Sequence, residues 1–106
     1  MNLISCMIRI LEIPQITLMQ HQIPLATLRI EMVQDGIRHN PTIVVEAKVW
    51  GNLAYDIEKY YAINDYALVE GYFSTNYPNQ SKEKSVVKKK PTLTIFQIYP
   101  FLFPLL

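Results

Sequence analysis

A chain of 106 residues with 50% hydrophobic and 18% charged residues can bury one modest core, so its composition excludes both a disordered polymer and a multidomain protein. The formal net charge of +1 hides an uneven distribution: positions 82–90 hold five lysines and one glutamate, a segment of +4, which leaves −3 on the rest. One cysteine, Cys6, excludes an intramolecular disulfide and points to a reducing compartment.

Taken in order, Ile4, Cys6, Ile8 and Ile10 alternate with Leu3, Ser5, Met7 and Arg9, the pattern of a first strand whose end Pro14 limits. Positions 15–22 show no firm periodicity and are expected to form a loop or an irregular strand extension leading to Pro24. In the second strand Ala26, Leu28, Ile30 and Met32 form an inner set, with Leu25, Thr27, Arg29 and Glu31 outside. Asp35-Gly36 and Pro41 supply turn chemistry, so the second and third strands should form an antiparallel hairpin.

The third strand, 42–50, places Ile43, Val45, Ala47 and Val49 on one face and Val44, Glu46, Lys48 and Trp50 on the other. The only tryptophan is thus on the polar face. It is either a lid on a small core or a surface on which something stacks. After Gly51 the period lengthens to about 3.6: Asn52 can cap a short helix with a stripe of Leu53, Ile57 and Tyr60 or Tyr61, which Asn64-Asp65 ends. In the fourth strand Ala67, Val69, Gly71 and Phe73 oppose Tyr66, Leu68, Glu70 and Tyr72, and a glycine in mid-strand marks a bend or a close backbone approach. A polar, basic loop spans 76–90, and 91–99 is a fifth strand.

Five short strands with one helix between the third and fourth is the order of the OB-fold, a mainly β, five-stranded Greek-key barrel. A five-strand α+β sandwich would give much the same pattern, and periodicity does not choose between them. The expected organisation is one domain over 1–106, its barrel at about 3–99, with an apolar tail at 100–106. That apolar end is interrupted by Gln97, Pro100 and Pro104 and is too short to span a bilayer, so no membrane partner is expected. The N-terminus has the character of neither a secretory signal nor a transit peptide, so the protein is expected to work where it is made.

Enzymatic chemistry finds no support. His21 and His39 are isolated and, with one cysteine, form no metal-ligand cluster; Asp56 and Glu58 lie two apart on a helix and point different ways. No nucleophile, phosphate loop or cofactor fingerprint is present, so a non-enzyme without cofactor is expected.

Residue identities add to this pattern. Val-Glu-Ala-Lys-Val-Trp-Gly-Asn-Leu-Ala at 45–54, Tyr60 or Tyr61, and Leu-Val-Glu-Gly at 68–71 resemble the core of bacterial-type single-stranded DNA-binding proteins (SSB). In that family an aromatic-Gly segment closes the third strand, a helix with a late tyrosine follows, and a Glu-Gly element lies in the fourth. Leu-Ala-Thr-Leu-Arg-Ile at 25–30 resembles the family's second strand, and the specific part of the likeness is 43–73. The resemblance implies an OB-fold that binds single-stranded DNA, without sequence preference, in DNA replication or maintenance. It also implies a homo-oligomer, a dimer or tetramer paired through the first strand, whose outer Leu3, Met7 and Leu11 are apolar.

Carried over position by position, Trp50 is the stacking aromatic and Lys48 lies beside it on the same face; Tyr72 and Tyr77 are further aromatic candidates, and Arg29 a basic one. Lys82, Lys84, Lys88, Lys89 and Lys90 would lie in the loop between the fourth and fifth strands, which OB-folds use to grip nucleic acid. The departures are Val44 in place of an aromatic, Ser74 and Asn76 in place of arginines, and Glu12-Ile-Pro-Gln in place of a glycine-rich segment. The sequence ends Phe-Leu-Phe-Pro-Leu-Leu, so the family's acidic C-terminal tip, which recruits replication partners, is not expected here. This reduced, lysine- and isoleucine-rich form resembles SSB-like proteins encoded in algal plastid genomes, which implies a plastid stroma, with a bacterial cytoplasm as the alternative. The other reading of the chain is a degenerate OB module kept for protein contacts.

Overall fold

Period-two alternation fixes the strands, and the computed structural model, which describes residues 2–33, 43–76 and 90–102, contains all five that were expected. The elements are β1 (Asn2–Ile10), β2 (Gln15–Leu18), β3 (Pro24–Met32), β4 (Ile43–Trp50), α1 (Asn52–Tyr60), β5 (Tyr66–Asn76) and β6 (Lys90–Pro100). Their order in the sheet is β1-β5-β6-β4-β3-β2, and a further β1–β3 pairing closes five of them into a barrel, with β2 as a short addition outside β3. Closure is what separates the OB-fold from an open α+β sandwich. Among the described residues β4 and β6 run parallel and the other pairs are antiparallel, including the expected β3–β4 pair.

Inside the barrel lie Ile8 and Ile10, Ala26, Leu28 and Ile30, Val45, Ala47 and Val49, Ala67 and Val69, and Leu93 and Ile95, joined by Ala54 and Ile57 of α1. Each fully buried Ile, Leu or Val contributes about 1.5–3 kcal/mol relative to exposure. Slipping any strand by one residue would turn this set outward, so the burial pattern fixes the register. At the closing seam the Arg9 guanidinium donates to Glu31 at 2.7 Å and to the Asn64 side chain at 2.6 Å, tying β1 to β3 and to the turn after the helix.

Several local expectations need correction. Asn52 does not cap α1: the cap position is Gly51, whose φ of 79° turns the chain so that Asn52 is already the first helical residue, and no side chain caps the helix. The helix stops at Tyr60 rather than at Asn64-Asp65, because Tyr61 is already extended. Asn64, at φ 76°, and Asp65 instead shape the following turn, where the Asp65 carboxylate accepts from the Ala62 N–H at 2.9 Å. Of the two tyrosines offered for the stripe, Tyr60 is exposed, and Tyr61 packs on the core from just beyond the helix. Part of the stretch 15–22 is the strand β2, and the rest is a tight elbow. The Asp35-Gly36 turn lies outside the described residues.

Candidate nucleic-acid interface

The outward residues of β3 and β4 are paired across the sheet: Leu25 with Trp50, Thr27 with Lys48, Arg29 with Glu46, and Glu31 with Val44. The parallel β4–β6 register extends the second of these rows, since Lys48 lies opposite Thr94, and Thr94 lies opposite Tyr72 of β5. A continuous outer row therefore runs Gln15, Thr27, Lys48, Thr94, Tyr72 and Leu3. Interstrand spacing puts Lys48 and Tyr72 about 10 Å apart, and Trp50 stands about 7 Å further along β4 from Lys48.

Trp50 is 45% exposed. Its cross-strand partner Leu25 faces the same way yet is only 7% exposed. The tryptophan thus sits on a covered apolar base with its own ring still open to solvent. Lys48 lies between two threonines, whose hydroxyls can donate to phosphate, and among the described residues no carboxylate pairs with it.

The sequence reading missed Phe96. The β5–β6 register shifts between Glu70 and Gly71, so that Glu70 faces Gln97, Gly71 faces Ile95, and Phe96 is the extra residue of a bulge. Phe96 is 41% exposed and Tyr72 38%, with ring centroids 5.2 Å apart and planes at 43°. The signal available in the sequence was Gly71, where a Cβ would collide with the Thr94 carbonyl oxygen and approach its carbon to 3.0 Å. A glycine there lets the two backbones close up, as the mid-strand position implied.

Arg29 fits the expected role less well. It is on the same outer face, but its Nε lies 3.8 Å from a Glu12 carboxylate oxygen, and Glu46 is its cross-strand neighbour. The Glu12 carboxylate offsets its charge. Val44, where the resemblance implies an aromatic, is exposed and supplies no ring. Lys90 opens β6; Tyr77, Lys82, Lys84, Lys88 and Lys89 lie outside the described residues. The structure therefore brings together Trp50, Lys48 and Tyr72, and adds Phe96.

Among the described residues no group of three or more His, Cys, Asp or Glu could hold a metal, and no helix is long and apolar enough to cross a membrane. Burial raises the Cys6 thiol above its ordinary value, and burial with the nearby Asp65 and Asp56 carboxylates raises the Tyr61 phenol. Neither group lies on the Trp50 face.

Known proteins bear on this geometry. The SSB domain of a Synechococcus protein superposes with a TM-score of 0.70 at 20% identity, covering 93% of this chain and 94% of that one. The small single-stranded DNA-binding protein of Streptomyces coelicolor gives 0.76 at 12% identity, with 95% and 93% covered. The second single-stranded DNA-binding protein of Mycobacterium smegmatis gives 0.69 at 17%, with 93% and 87% covered. At these identities the likeness establishes the fold. No family model matches the chain. In sequence, the chain is 37% identical over 102 residues to ycf41 of Trieres chinensis, named as a candidate single-stranded DNA-binding protein, with 96% of this chain and 90% of the relative covered. An identity of that size over nearly the whole of both chains, on a barrel of the expected topology, means that the chain belongs to the single-stranded DNA-binding protein family, in the group of ycf41.

Proposed function

We propose that this protein binds single-stranded DNA without sequence preference, stacking bases on Trp50 and on the Tyr72–Phe96 pair while Lys48 and the basic segment at 82–90 engage the phosphates. The observation that carries the reading is an exposed tryptophan, seated on a covered leucine beside an uncompensated lysine, in a chain related to proteins named for this activity. Every base has a π-face, so stacking gives affinity without reading sequence. The work is binding rather than catalysis, in DNA replication or maintenance. We assign it to the plastid stroma, a reading supported as far as the plastid by the relative ycf41, a plastid gene of a diatom.

The functional form is a homo-oligomer. β1 pairs with β5 along most of its length but with β3 only through Ile8, Arg9 and Ile10. Among the described residues no strand covers the other edge of positions 2–6. An open edge flanked by Leu3, 63% exposed, suits antiparallel pairing with a second copy about a two-fold axis.

The test is a titration with oligo-dT. Trp50 is the only tryptophan, so its fluorescence should be quenched on binding, and Trp50→Ala should weaken binding by about 1–3 kcal/mol, read by anisotropy of a labelled oligomer. Five phosphate contacts from the lysine segment would give a log–log salt slope of roughly −3.5, at about −0.7 per contact. Absence of quenching and of any band shift at low salt would sink the reading, and would favour a module kept for protein contacts.

A further inference from the structure

We propose that the elbow from Met19 to Ile23 is the opposing wall of a clamp that closes one base of the single strand against Trp50; this deepens the stacking reading of Trp50 and rests on it. The elbow joins β2 to β3, and its root is fixed beside the indole. Leu18 pairs with Pro24, Leu25 pairs with Trp50, and the Gly51 N–H donates to the Pro24 carbonyl at 2.9 Å. Between the two lies a groove of about 300 Å³ lined by Met19, Gln20, His21, Ile23 and Trp50.

Its lining suits a flat ring with polar edges. Met19 and Ile23 offer apolar surface across from the indole, and all three are exposed, so the core does not account for their being apolar. Gln20 and His21 add groups that both donate and accept hydrogen bonds, as base edges do. The elbow is also held in shape before anything binds. His21 (φ 60°, ψ 28°) and Gln22 (φ 62°) both occupy the left-handed region without being glycine. The Met19 N–H donates to the Ile23 carbonyl at 2.8 Å, and the Gln22 N–H to the Met19 carbonyl at 3.1 Å. Strain of this kind persists where the surrounding structure dictates a geometry, and a wall fixed in advance loses less entropy on binding. The occupant is a nucleobase because the groove shares its aromatic wall with the face that carries Lys48, the cation available to the attached phosphate.

A double-mutant cycle on the full chain tests this, with labelled oligo-dT at low salt as the probe and circular dichroism as the check on folding. Met19→Ala/Ile23→Ala should lower affinity about five- to tenfold, the low end of one base stack. On a Trp50→Ala background the same change should cost little more, because both walls act on one base. A second variant, His21→Gly/Gln22→Gly, keeps the apolar walls and suits the left-handed backbone, so it should fold at least as stably yet bind more weakly. Additive losses, or elbow variants that bind as well as the wild type, overturn the clamp and leave stacking on Trp50 intact. A wild type that does not bind the oligomer removes both.

Discussion

Gly71→Ala is the perturbation that most directly couples the barrel to its binding face. The added Cβ would run into the Thr94 carbonyl oxygen, and would come within 3.0 Å of the carbonyl carbon and 3.1 Å of the Ile95 Cα. All three are backbone atoms of β6, so no side chain can rotate away, and β5 and β6 must move apart. Overpacking of a well-packed region costs about 1–3 kcal/mol. This site belongs at the upper end, since Ile95 and Val69 beside it are buried in the core and the bulge at Phe96 depends on the same close approach. Thr94 lies between Lys48 and Tyr72 in the outer row. Displacing it should therefore disturb the Tyr72–Phe96 contact and lower affinity for oligo-dT as well as stability. Urea unfolding followed by Trp50 fluorescence gives the stability change, and anisotropy gives the affinity. A variant whose urea midpoint and oligonucleotide affinity both match the wild type would refute the argument that backbone proximity is why this position is glycine.

Three further outcomes are expected. Gly51→Ala meets nothing within 4 Å, so its cost comes only from the backbone, whose φ 79° and ψ −154° lie in a region essentially confined to glycine, about 1–3 kcal/mol; equal denaturant midpoints for variant and wild type would show that the turn after Trp50 tolerates a side chain. Alkali should destabilise the fold, because Cys6 and Tyr61 have raised values in the folded chain. The unfolded chain therefore loses its protons first, and stability should fall as pH rises through the ordinary cysteine value of 9.0 and onward; urea midpoints across that range check it, and Cys6→Ala should remove part of the slope. Leu3→Arg should shift sedimentation toward the monomer if β1 pairs with a second copy, since the like charges would face each other at the interface, and an unchanged oligomer would place the interface elsewhere.

How much of the fold and the site is legible in the chain differs from element to element, for physical reasons. Val45, Ala47 and Val49 announce β4 because a barrel wall has one wet and one dry face, and the same alternation is enough to put Trp50 on the outside. Gly71 announces a close approach, but not what approaches it: that Thr94 is the neighbour depends on pairing between strands distant in sequence. Phe96 is half hidden for the same reason: the core-facing Leu93, Ile95 and Ile98 are spaced by two and then by three, which marks a slip in the alternation, but that the slip is a bulge against β5 is a property of the two strands together. The elbow is illegible in a different way. Left-handed residues usually show themselves as glycine or asparagine, whereas His21 and Gln22 adopt that conformation under the constraint of the β2–β3 hairpin.

Charge sharpens what the binding face can do. A basic residue on an OB surface is easily counted as a phosphate contact, yet Arg29 has Glu12 at 3.8 Å and Glu46 across the ladder, and Arg9 is committed to Glu31 at the barrel seam. Of the positions with described side chains on the strip between Trp50 and Tyr72, Lys48 is the cation that no carboxylate offsets. Exposed Val44 adds neither a ring nor a charge. The described face is thus aromatic more than cationic, while the chain's positive charge is concentrated at 82–90. Stacking and charge should accordingly separate in experiment. Salt should weaken wild type and Trp50→Ala with nearly the same slope, because the indole releases no counterions, whereas removal of the lysines should flatten the slope and leave quenching at saturation unchanged.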